Sequence, residues 1–198
     1  MIDLGAFAEH LSRRPRRALG APDARHASVA VVLRSSAGGP EILLLKRAEN
    51  PADPWSGNVA LPGGRRDPED TDSLATARRE TLEESGLDLD QHGRHLGPLD
   101  DLPAVARGLR INLIISPHVF ELHTDAELRL QASEIAAYRW APLAPLLNGE
   151  RRTSHPYRHE GQLLHLPAYD VDGWVVWGLT FQMLQMLFEE IRALTPAG

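Results

Sequence analysis

Runs of apolar residues separated by short polar segments divide the chain into predicted strands and helices. Apolar runs at residues 27–35 and 41–48 flank the segment SAGGP, and they predict two strands joined by a Gly-containing turn. Residues 174–194 predict a strand that runs directly into a helix. Further strands are predicted at residues 59–61, 109–122, 136–143 and 162–169.

Helical and loop segments separate these strands. Residues 2–11 predict a short amphipathic helix, which ends before Pro15 because proline cannot continue a helix. Residues 49–58 and 148–161 predict loops, the first because Pro, Gly and Asn accumulate there and the second because it is rich in arginine and histidine. Strands that alternate with helices favour an α/β fold in which a mixed β-sheet is flanked by helices.

A central helix is predicted at residues 73–85. Gly86 follows it and suits a C-terminal cap, where a residue without a Cβ is favoured. Leu74, Ala75 and Leu82 form the side that we expect to pack on the core. The candidate oxygens for the N-terminal cap are those of Asp70, Thr71 and Asp72.

Composition indicates an ordinary globular protein. The chain has 198 residues, enough for one domain with its own core, so residues 1–198 are predicted to form a single domain with the helix at about 2–14 as an extension. The content of 42% hydrophobic and 24% charged residues argues against extensive disorder. The absence of cysteine excludes disulfides, thiolate metal sites and thiol catalysis.

Charge and hydropathy narrow the expected partners and location. A net charge of -6 disfavours broad binding to nucleic acid or to an anionic membrane surface. No apolar run reaches the length needed to span a membrane, and the N-terminus lacks the features of a secretory signal. A cytoplasmic location is therefore preferred by elimination.

Three carboxylates share one face of the central helix. Glu80, Glu83 and Glu84 are three or four positions apart, so they project together, with Arg79 beside them. A solvated acidic surface is the simpler alternative. However, the Pro-Gly-Gly elbow at residues 62–64 allows close approach to the backbone, and carboxylate and carbonyl oxygens are ligands that Mg²⁺ prefers. The pattern therefore favours a metal site.

The stretch LPGGRRDPEDTDSLATARRETLEESGL resembles the Nudix box, which combines a glycine, a glutamate, an Arg-Glu pair, a Glu-Glu pair and a final glycine. Asp70 stands where the first glutamate is usual, and the span from Gly64 to Arg79 is one residue longer than usual. A similar extra residue occurs in the coenzyme A pyrophosphatase branch of the family, so the spacing favours that branch. The matching positions are Gly64, Asp70, Arg79, Glu80, Glu83, Glu84 and Gly86.

The resemblance implies a Nudix α/β/α sandwich and hydrolysis of a pyrophosphate bond with Mg²⁺ or Mn²⁺ as cofactor. It assigns metal binding to Glu80, Glu83 and Glu84, and it makes Glu80 or a nearby carboxylate the base. It also implies that Arg79 orients the glutamates and that the carbonyl of Gly64 completes the metal shell.

A further glutamate from a later loop often takes part in the family, and Glu134 in QASEIAAYRW is the candidate. An ordinary surface glutamate is the alternative at this position. The metal-ligand set implied by the resemblance therefore has one member outside the box.

The segments on either side of the box resemble those of coenzyme A pyrophosphatases. Upstream, the matches are Leu43, Leu44, Arg47, Gly57 and residues 62–64, while Leu45, Ala48, Trp55 and Leu61 depart from the usual pattern. Downstream, VVWGLTFQML resembles the Trp-Gly-x-Thr step at the start of the last helix, although a buried strand-to-helix junction would look the same.

Several side chains near the box are candidates for substrate binding. Arg47 could bind a phosphate bidentately, and Trp55 could stack on a base. Arg65 and Arg66 could offset the charge of a polyphosphate. Solvated charges and a packing role for Trp55 are the alternatives. The histidines of the basic segment fit no zinc pattern and are interpreted as surface or substrate-loop residues: His155, His159 and His165.

Three functions follow from the resemblance. The first is hydrolysis of coenzyme A or a derivative into its phosphopantetheine and adenosine nucleotide halves. The second is Nudix hydrolysis of NADH, ADP-ribose or an oxidised nucleoside triphosphate. The third is a non-catalytic module that binds a nucleotide, against which the intact glutamates argue. The expected partner is a small-molecule nucleotide, and a homodimer paired through the N-terminal helix is left open.

Overall fold

The computed structural model describes residues 3–20, 23–50, 55–106, 109–124 and 126–194. The helices are α1 (Leu4–Arg13), α2 (Ser73–Ser85), α3 (Leu89–His92), α4 (Leu143–Leu147) and α5 (Gly178–Ala193). The strands are β1 (Arg25–Arg34), β2 (Glu41–Arg47), β3 (Val59–Ala60), β4 (Gly63–Arg65), β5 (Gly93–Pro98), β6 (Leu102–Ala106), β7 (Leu109–Leu122), β8 (Ile135–Pro142), β9 (Arg152–His159), β10 (Gln162–Val171) and β11 (Trp174–Trp177).

A large mixed sheet forms the centre of the molecule. Its strands run in the order β3-β2-β1-β7-β5, with β4 paired to β1, β6 to β7 and β8 to β2. β1 and β7 are parallel, from the pair Arg25 and Leu113 to the pair Arg34 and Leu122, whereas the other pairs in this sheet are antiparallel. A second, antiparallel sheet has the order β11-β10-β9. The prediction of an α/β fold with a mixed sheet is confirmed.

The central sheet is covered on both faces, which explains why β1 and β2 read as continuous apolar runs. On one face, Val31 and Leu44 belong to a cluster with Phe7 of α1 and Phe188 of α5. On the other face, a cluster that includes Leu43 and Leu45 of β2 incorporates Ala77 of α2. The α2 helix therefore rests on one side of the sheet while α1 and α5 rest on the other.

α2 has the predicted bounds and caps. The Asp72 carboxylate accepts a hydrogen bond from the backbone N–H of Ala75 at 2.8 Å, and Gly86 caps the other end with a φ of 69°. The prediction that Leu82 packs on the core is wrong, because its side chain is 47% exposed. The helix instead buries small and hydroxyl-bearing residues, together with one glutamate: Thr76, Ala77, Thr81, Glu84 and Ser85.

The sequence pattern misplaced or missed several other elements. Residues 152–159, predicted as part of a loop, form β9, which pairs along its whole length with β10. The strands β4, β5 and β6 and the short helices α3 and α4 were not predicted, and the N-terminal helix begins at Leu4 and ends at Arg13. Within the loop predicted at 49–58, residues 51–54 lie outside the described part of the chain.

The remaining expectations about organisation stay predictions. None of the helices in the described ranges is long and apolar enough to cross a membrane. A single domain over residues 1–198, a homodimer and a cytoplasmic location are still predictions.

Candidate active site

The Gly-Gly elbow, Gly63 and Gly64, begins β4, which pairs with β1. The carboxylate of Glu80 lies next to Gly64. Gly63 has a φ of 147°, and a Cβ there would meet the carbonyl oxygen of Ser28 at 2.3 Å. A Cβ on Gly64 would lie 2.5 Å from the carboxyl carbon of Glu80. Position 63 therefore requires glycine for its backbone, whereas at position 64 a side chain would displace the carboxylate of Glu80.

Arg79 is held by a buried carboxylate. Its Nε donates to Oδ1 of Asp70 at 3.0 Å and its Nη2 donates to Oδ2 at 2.9 Å. Asp70 also accepts hydrogen bonds from the Thr76 hydroxyl and the Asp67 N–H, both at 2.9 Å. The guanidinium of Arg79 holds the pKa of Asp70 well below its usual range. Asp70 thus serves here as the anchor of Arg79.

The other side of the same guanidinium faces the helix carboxylates. Nη1 of Arg79 lies 3.1 Å from Oε1 of Glu80 and 3.0 Å from Oε2 of Glu83. Nη2 also donates to the carbonyl oxygen of Arg65 at 2.9 Å. Arg79 therefore links Asp70, the end of β4 and two of the glutamates, and its role in orienting them stays a prediction.

Glu84 is the most buried of the glutamates on this helix. Its residue is 4% exposed, and Oε2 accepts a hydrogen bond from the N–H of Gly63 at 2.9 Å. Nη1 of Arg47 lies 3.9 Å from Oε1. Burial raises the pKa of Glu84 to about 7, and the carboxylates of Glu80 and Glu134 also raise it. The native contacts therefore leave much of the charge of this carboxylate uncompensated.

Glu80 has a similar imbalance. Burial raises the pKa of Glu80 above its usual value, Arg79 opposes this change, and Glu83 and Glu134 add to it. Across the ranges that the structure describes, no three His, Asp or Glu side chains converge closely enough to hold one ion. The donor chemistry nevertheless fits a divalent cation, because partly buried carboxylates beside a glycine backbone are hard oxygen ligands whose mutual repulsion a cation would offset.

Glu134 reaches this group through the loop that follows β7. In that loop the N–H of Arg129 donates to the Ser85 carbonyl at 2.7 Å, and the N–H of Gln131 donates to the Glu84 carbonyl at 3.0 Å. The carbonyl of Glu134 accepts from the N–H of Ala48 at 2.7 Å. The loop is thereby fastened to the C-terminal end of α2 and the end of β2, which explains why Glu134 raises the pKa of both Glu80 and Glu84.

The four predicted substrate residues lie in different settings. Arg47 is half-buried and reaches the carboxylates, as the contact with Glu84 shows. Arg65 is exposed, and Trp55 is half-buried in the loop before β3. The guanidinium of Arg66 donates to the carbonyl oxygens of residues 70 and 71 at 3.0 and 2.9 Å, so it stabilises the loop before α2. Substrate binding by these four residues stays a prediction.

The histidines of the basic segment lie on the second sheet. The ring of His155 stacks on Trp177 with centroids 4.2 Å apart, and His159 stacks on Tyr157 at 6.3 Å. His165 is exposed on β10. These contacts assign the three histidines to the surface of the β9–β10 hairpin.

One polar network was missed by the sequence analysis. Nε2 of His118 on β7 lies 2.9 Å from the hydroxyl of Ser73, and its Nδ1 lies 3.2 Å from Nε2 of His95. Burial lowers the pKa of His118 to about 4, with the neighbouring His95 and Arg16 adding to the effect. Because these residues are far apart in the chain, their spacing offered no signal. The network ties the start of α2 to β7 and β5.

Comparison with known proteins identifies the family. A Nudix-domain model matches residues 24–160. An uncharacterized Schizosaccharomyces pombe protein, C14C4.10c, is 43% identical over 116 residues, which are 58% of this chain and 35% of that protein, so the chain spans about a third of its length. Human mitochondrial coenzyme A diphosphatase NUDT8 is 31% identical over 176 residues, or 84% of this chain and 72% of that protein.

A solved structure supports the fold. The Nudix hydrolase RenU from M. smegmatis has a TM-score of 0.57 at 19% identity, with 87% of this chain and 88% of that chain covered. At this identity the likeness concerns the fold alone. Together with the domain match, which takes in α2, the Gly-Gly elbow and Glu134, these relatives show that the chain belongs to the Nudix hydrolase family, as its sequence predicted.

Proposed function

We propose that the protein is a metal-dependent pyrophosphohydrolase whose substrate is coenzyme A or a related derivative. The observation that carries this proposal is the setting of two carboxylates at the Gly-Gly elbow. Glu80 lies against Gly64, Glu84 accepts a hydrogen bond from the N–H of Gly63, and the carboxylates of Glu80 and Glu134 raise the pKa of Glu84. Buried carboxylates that repel one another destabilise the protein when no cation is bound. With a divalent cation they form a site whose metal can in turn bind a diphosphate.

We assign the metal site to Glu80, Glu83, Glu84, Glu134 and the carbonyl of Gly64. When bound there, Mg²⁺ or Mn²⁺ would neutralise charge on the phosphate oxygens and lower the pKa of a water molecule. Glu80, or a carboxylate beside it, would take the proton of the attacking water, for which a raised pKa is suited. Because Arg79 contacts the carboxylates of Glu80 and Glu83, it limits the rotation of these two side chains and keeps their oxygens near the site.

The substrate assignment rests on the branch of the family. The upstream segment containing Arg47 and residues 61–64 resembles that of coenzyme A pyrophosphatases, and NUDT8, a relative at 31% identity, is a coenzyme A diphosphatase. Arg47 stands beside Glu84, where its guanidinium could bind a phosphate oxygen of the substrate. We include Arg65, Arg66 and Trp55 as further substrate contacts to be tested.

The test is a product-resolved screen of the purified chain with Mg²⁺ and with Mn²⁺. The substrates are coenzyme A, its acyl derivatives, NADH, ADP-ribose and nucleoside triphosphates, and we expect coenzyme A to be split at its pyrophosphate. If coenzyme A stays intact while another compound is split, the family activity holds and the substrate assignment is wrong. If no compound is split, the non-catalytic alternative is favoured.

The same screen should be run on Glu80→Gln, with Glu189→Gln as control. Glu189 is an exposed glutamate on α5, so the two variants make the same chemical change inside and outside the site. We expect Glu80→Gln to lower kcat by about 10²- to 10⁴-fold, as loss of a general base commonly does. Full activity in a folded Glu80→Gln protein would contradict the assignment of the site.

A further inference from the structure

The side chain of Tyr138 presents an exposed aromatic ring on β8, the strand that begins directly after Glu134. It is 44% exposed, whereas the neighbouring aromatic residue on the same face, Trp140, is half-buried. The guanidinium of Arg34 lies over the Trp140 ring, 4.3 Å from its centroid. Trp140 is therefore already engaged by a cation, while a large part of Tyr138 faces solvent.

The register of β8 and β2 places Tyr138 on the same face of the sheet as Arg47. Tyr138 pairs with Leu45, and Arg47 is two residues further along β2. Leu45 and Arg47, two residues apart on β2, share a face, and the pairing with β8 shifts by one residue between Lys46 and Arg47. Leu45 belongs to the cluster that incorporates Ala77 of α2, so this is also the face on which α2 rests.

Arg47 joins this face to the carboxylates. Its Nη1 lies 3.9 Å from Glu84, and the next residue, Ala48, donates its N–H to the carbonyl of Glu134. Proceeding from the site along the sheet, the order is therefore the carboxylates, then the guanidinium of Arg47, then the ring of Tyr138. α2 makes most of its contacts with β1 and β4, so it lies to one side of this row.

This order matches the chemistry of a nucleoside diphosphate, in which an anionic diphosphate is joined through a sugar to a planar base. We propose that Tyr138 stacks on the base of the nucleotide while Arg47 contacts the diphosphate. The inference rests on the proposed function, and it adds a recognition residue outside the Nudix box. A tyrosine ring offers its face to any base, so the subsite favours nucleotides over other diphosphates and discriminates weakly among bases.

The test compares two non-hydrolysable probes, α,β-methylene-ADP and methylenediphosphonate, which has no base. Binding to the full chain is measured by calorimetry in Mg²⁺ for the wild type, Tyr138→Ala and Tyr138→Phe. We expect Tyr138→Ala to weaken the nucleotide probe about tenfold, within the range found for base stacking, and to leave the probe without a base unchanged. Tyr138→Phe keeps the ring and should bind as the wild type does.

The control is Leu164→Ala, which removes an exposed hydrophobic side chain from the β9–β10 hairpin. It should leave the binding of both probes unchanged. The inference is overturned if Tyr138→Ala binds the nucleotide probe normally, if it weakens both probes equally, or if the wild type binds the two probes alike. A change in oligomeric state with unchanged nucleotide binding would instead assign the ring to a subunit contact and would also overturn it.

These outcomes are separate from those of the activity screen. Base-dependent binding that Tyr138→Ala abolishes, in a chain that splits no diphosphate, would support the stacking subsite and contradict the proposed function. Hydrolysis of coenzyme A by the wild type, together with unchanged affinity of Tyr138→Ala for the nucleotide probe, would support the proposed function and contradict the stacking subsite.

Discussion

Arg79 and Asp70 form a bidentate ion pair through two hydrogen bonds, of 3.0 and 2.9 Å, at the side of the carboxylate site. The shorter side chain at position 70 still reaches the guanidinium, since the loop before α2 folds back and Thr76 steadies the carboxylate at 2.9 Å. The replacement of the usual glutamate by Asp70 therefore keeps an anchor for Arg79.

Asp70→Asn tests this anchor. It would leave the guanidinium of Arg79 without its buried counter-charge, so we expect the free energy of unfolding to fall by about 3 kcal/mol, as when one partner of a buried pair is removed. Activity should fall as well, since Arg79 would no longer hold Glu80 in place. Urea denaturation and steady-state kinetics measure the two effects.

The matched control for that variant is Asp67→Asn. Asp67 is 57% exposed at its side chain and lies 3.8 Å from Arg79, so its loss should cost under about 1 kcal/mol. Equal losses of stability in Asp67→Asn and Asp70→Asn would show that the buried pair is not the anchor.

Gly64→Ala and Gly63→Ala should separate activity from stability. The methyl group at position 64 would meet the flexible carboxylate of Glu80, which can move aside, so we expect a folded protein with reduced kcat. At position 63 the methyl group would meet the backbone of Ser28, and the φ of 147° is unfavourable for alanine, so we expect a marked loss of stability. Thermal unfolding and kinetics of both variants check this contrast.

A reversed result would be informative. If Gly64→Ala unfolds while Gly63→Ala remains stable and active, Glu80 is not the group that shapes the elbow. The thermal-unfolding measurements in this comparison do not require the substrate to be known.

The central helix and the shared face of its glutamates could be predicted because their signals are local. The caps at Asp72 and Gly86 lie next to the helix they end, and the spacing of the glutamates places them on one face whatever the rest of the fold does. The exposure of Leu82 could not be predicted in this way, because it depends on which side of α2 meets the sheet.

The pattern of hydrophobic and polar residues could not predict contacts between segments that are distant in the chain. β9 reads as a loop because its residues are polar and basic, yet pairing with β10 satisfies its backbone and its side chains remain largely exposed. Likewise, the bonds from Arg129 and Gln131 that fasten the loop before β8 to α2 are accepted by backbone carbonyls, so no residue type marks them in advance. Both the formation of β9 and the position of the loop before β8 depend on hydrogen bonds to segments that are distant in the chain.

Glu84→Gln should make the metal-free protein more stable. The amide keeps an oxygen to accept the N–H of Gly63, while it removes a buried charge whose pKa burial raises to about 7. At pH 8 we expect a higher midpoint of thermal unfolding than in the wild type when EDTA is present. A Mn²⁺ titration should then raise the midpoint of the wild type but not that of the variant.

The control for this experiment is again Glu189→Gln, which should follow the wild type in EDTA and in Mn²⁺. A Glu84→Gln protein that is less stable in EDTA, or that gains as much stability from Mn²⁺ as the wild type, would contradict the assignment of Glu84 to the metal site.

The His118 network predicts a loss of stability in mild acid. The pKa of His118 is lowered from 6.5 to about 4 in the folded protein, mainly by burial, so between these values the unfolded chain binds the proton more readily. The contribution of His118 to the free energy of unfolding should therefore fall by up to about 3 kcal/mol as the pH decreases from 6.5 to 4. Glu84, whose pKa is raised to about 7 in the folded protein, contributes in the opposite direction, so the contribution of His118 is read from the difference between the wild type and a His118 variant. The contribution is fully present above pH 6.5.

His118→Gln removes the titrating group and should flatten this part of the pH dependence, although loss of the packed ring should lower stability at neutral pH. His165→Gln, at an exposed position on β10, should keep the slope of the wild type. Urea denaturation at pH 7.5, 6.0 and 5.0 measures all three proteins. Identical slopes for the wild type and His118→Gln would show that the buried imidazole is not the source of the acid sensitivity. A changed slope in His118→Gln alone would assign the acid sensitivity to this imidazole, at the contact between β7 and the start of α2.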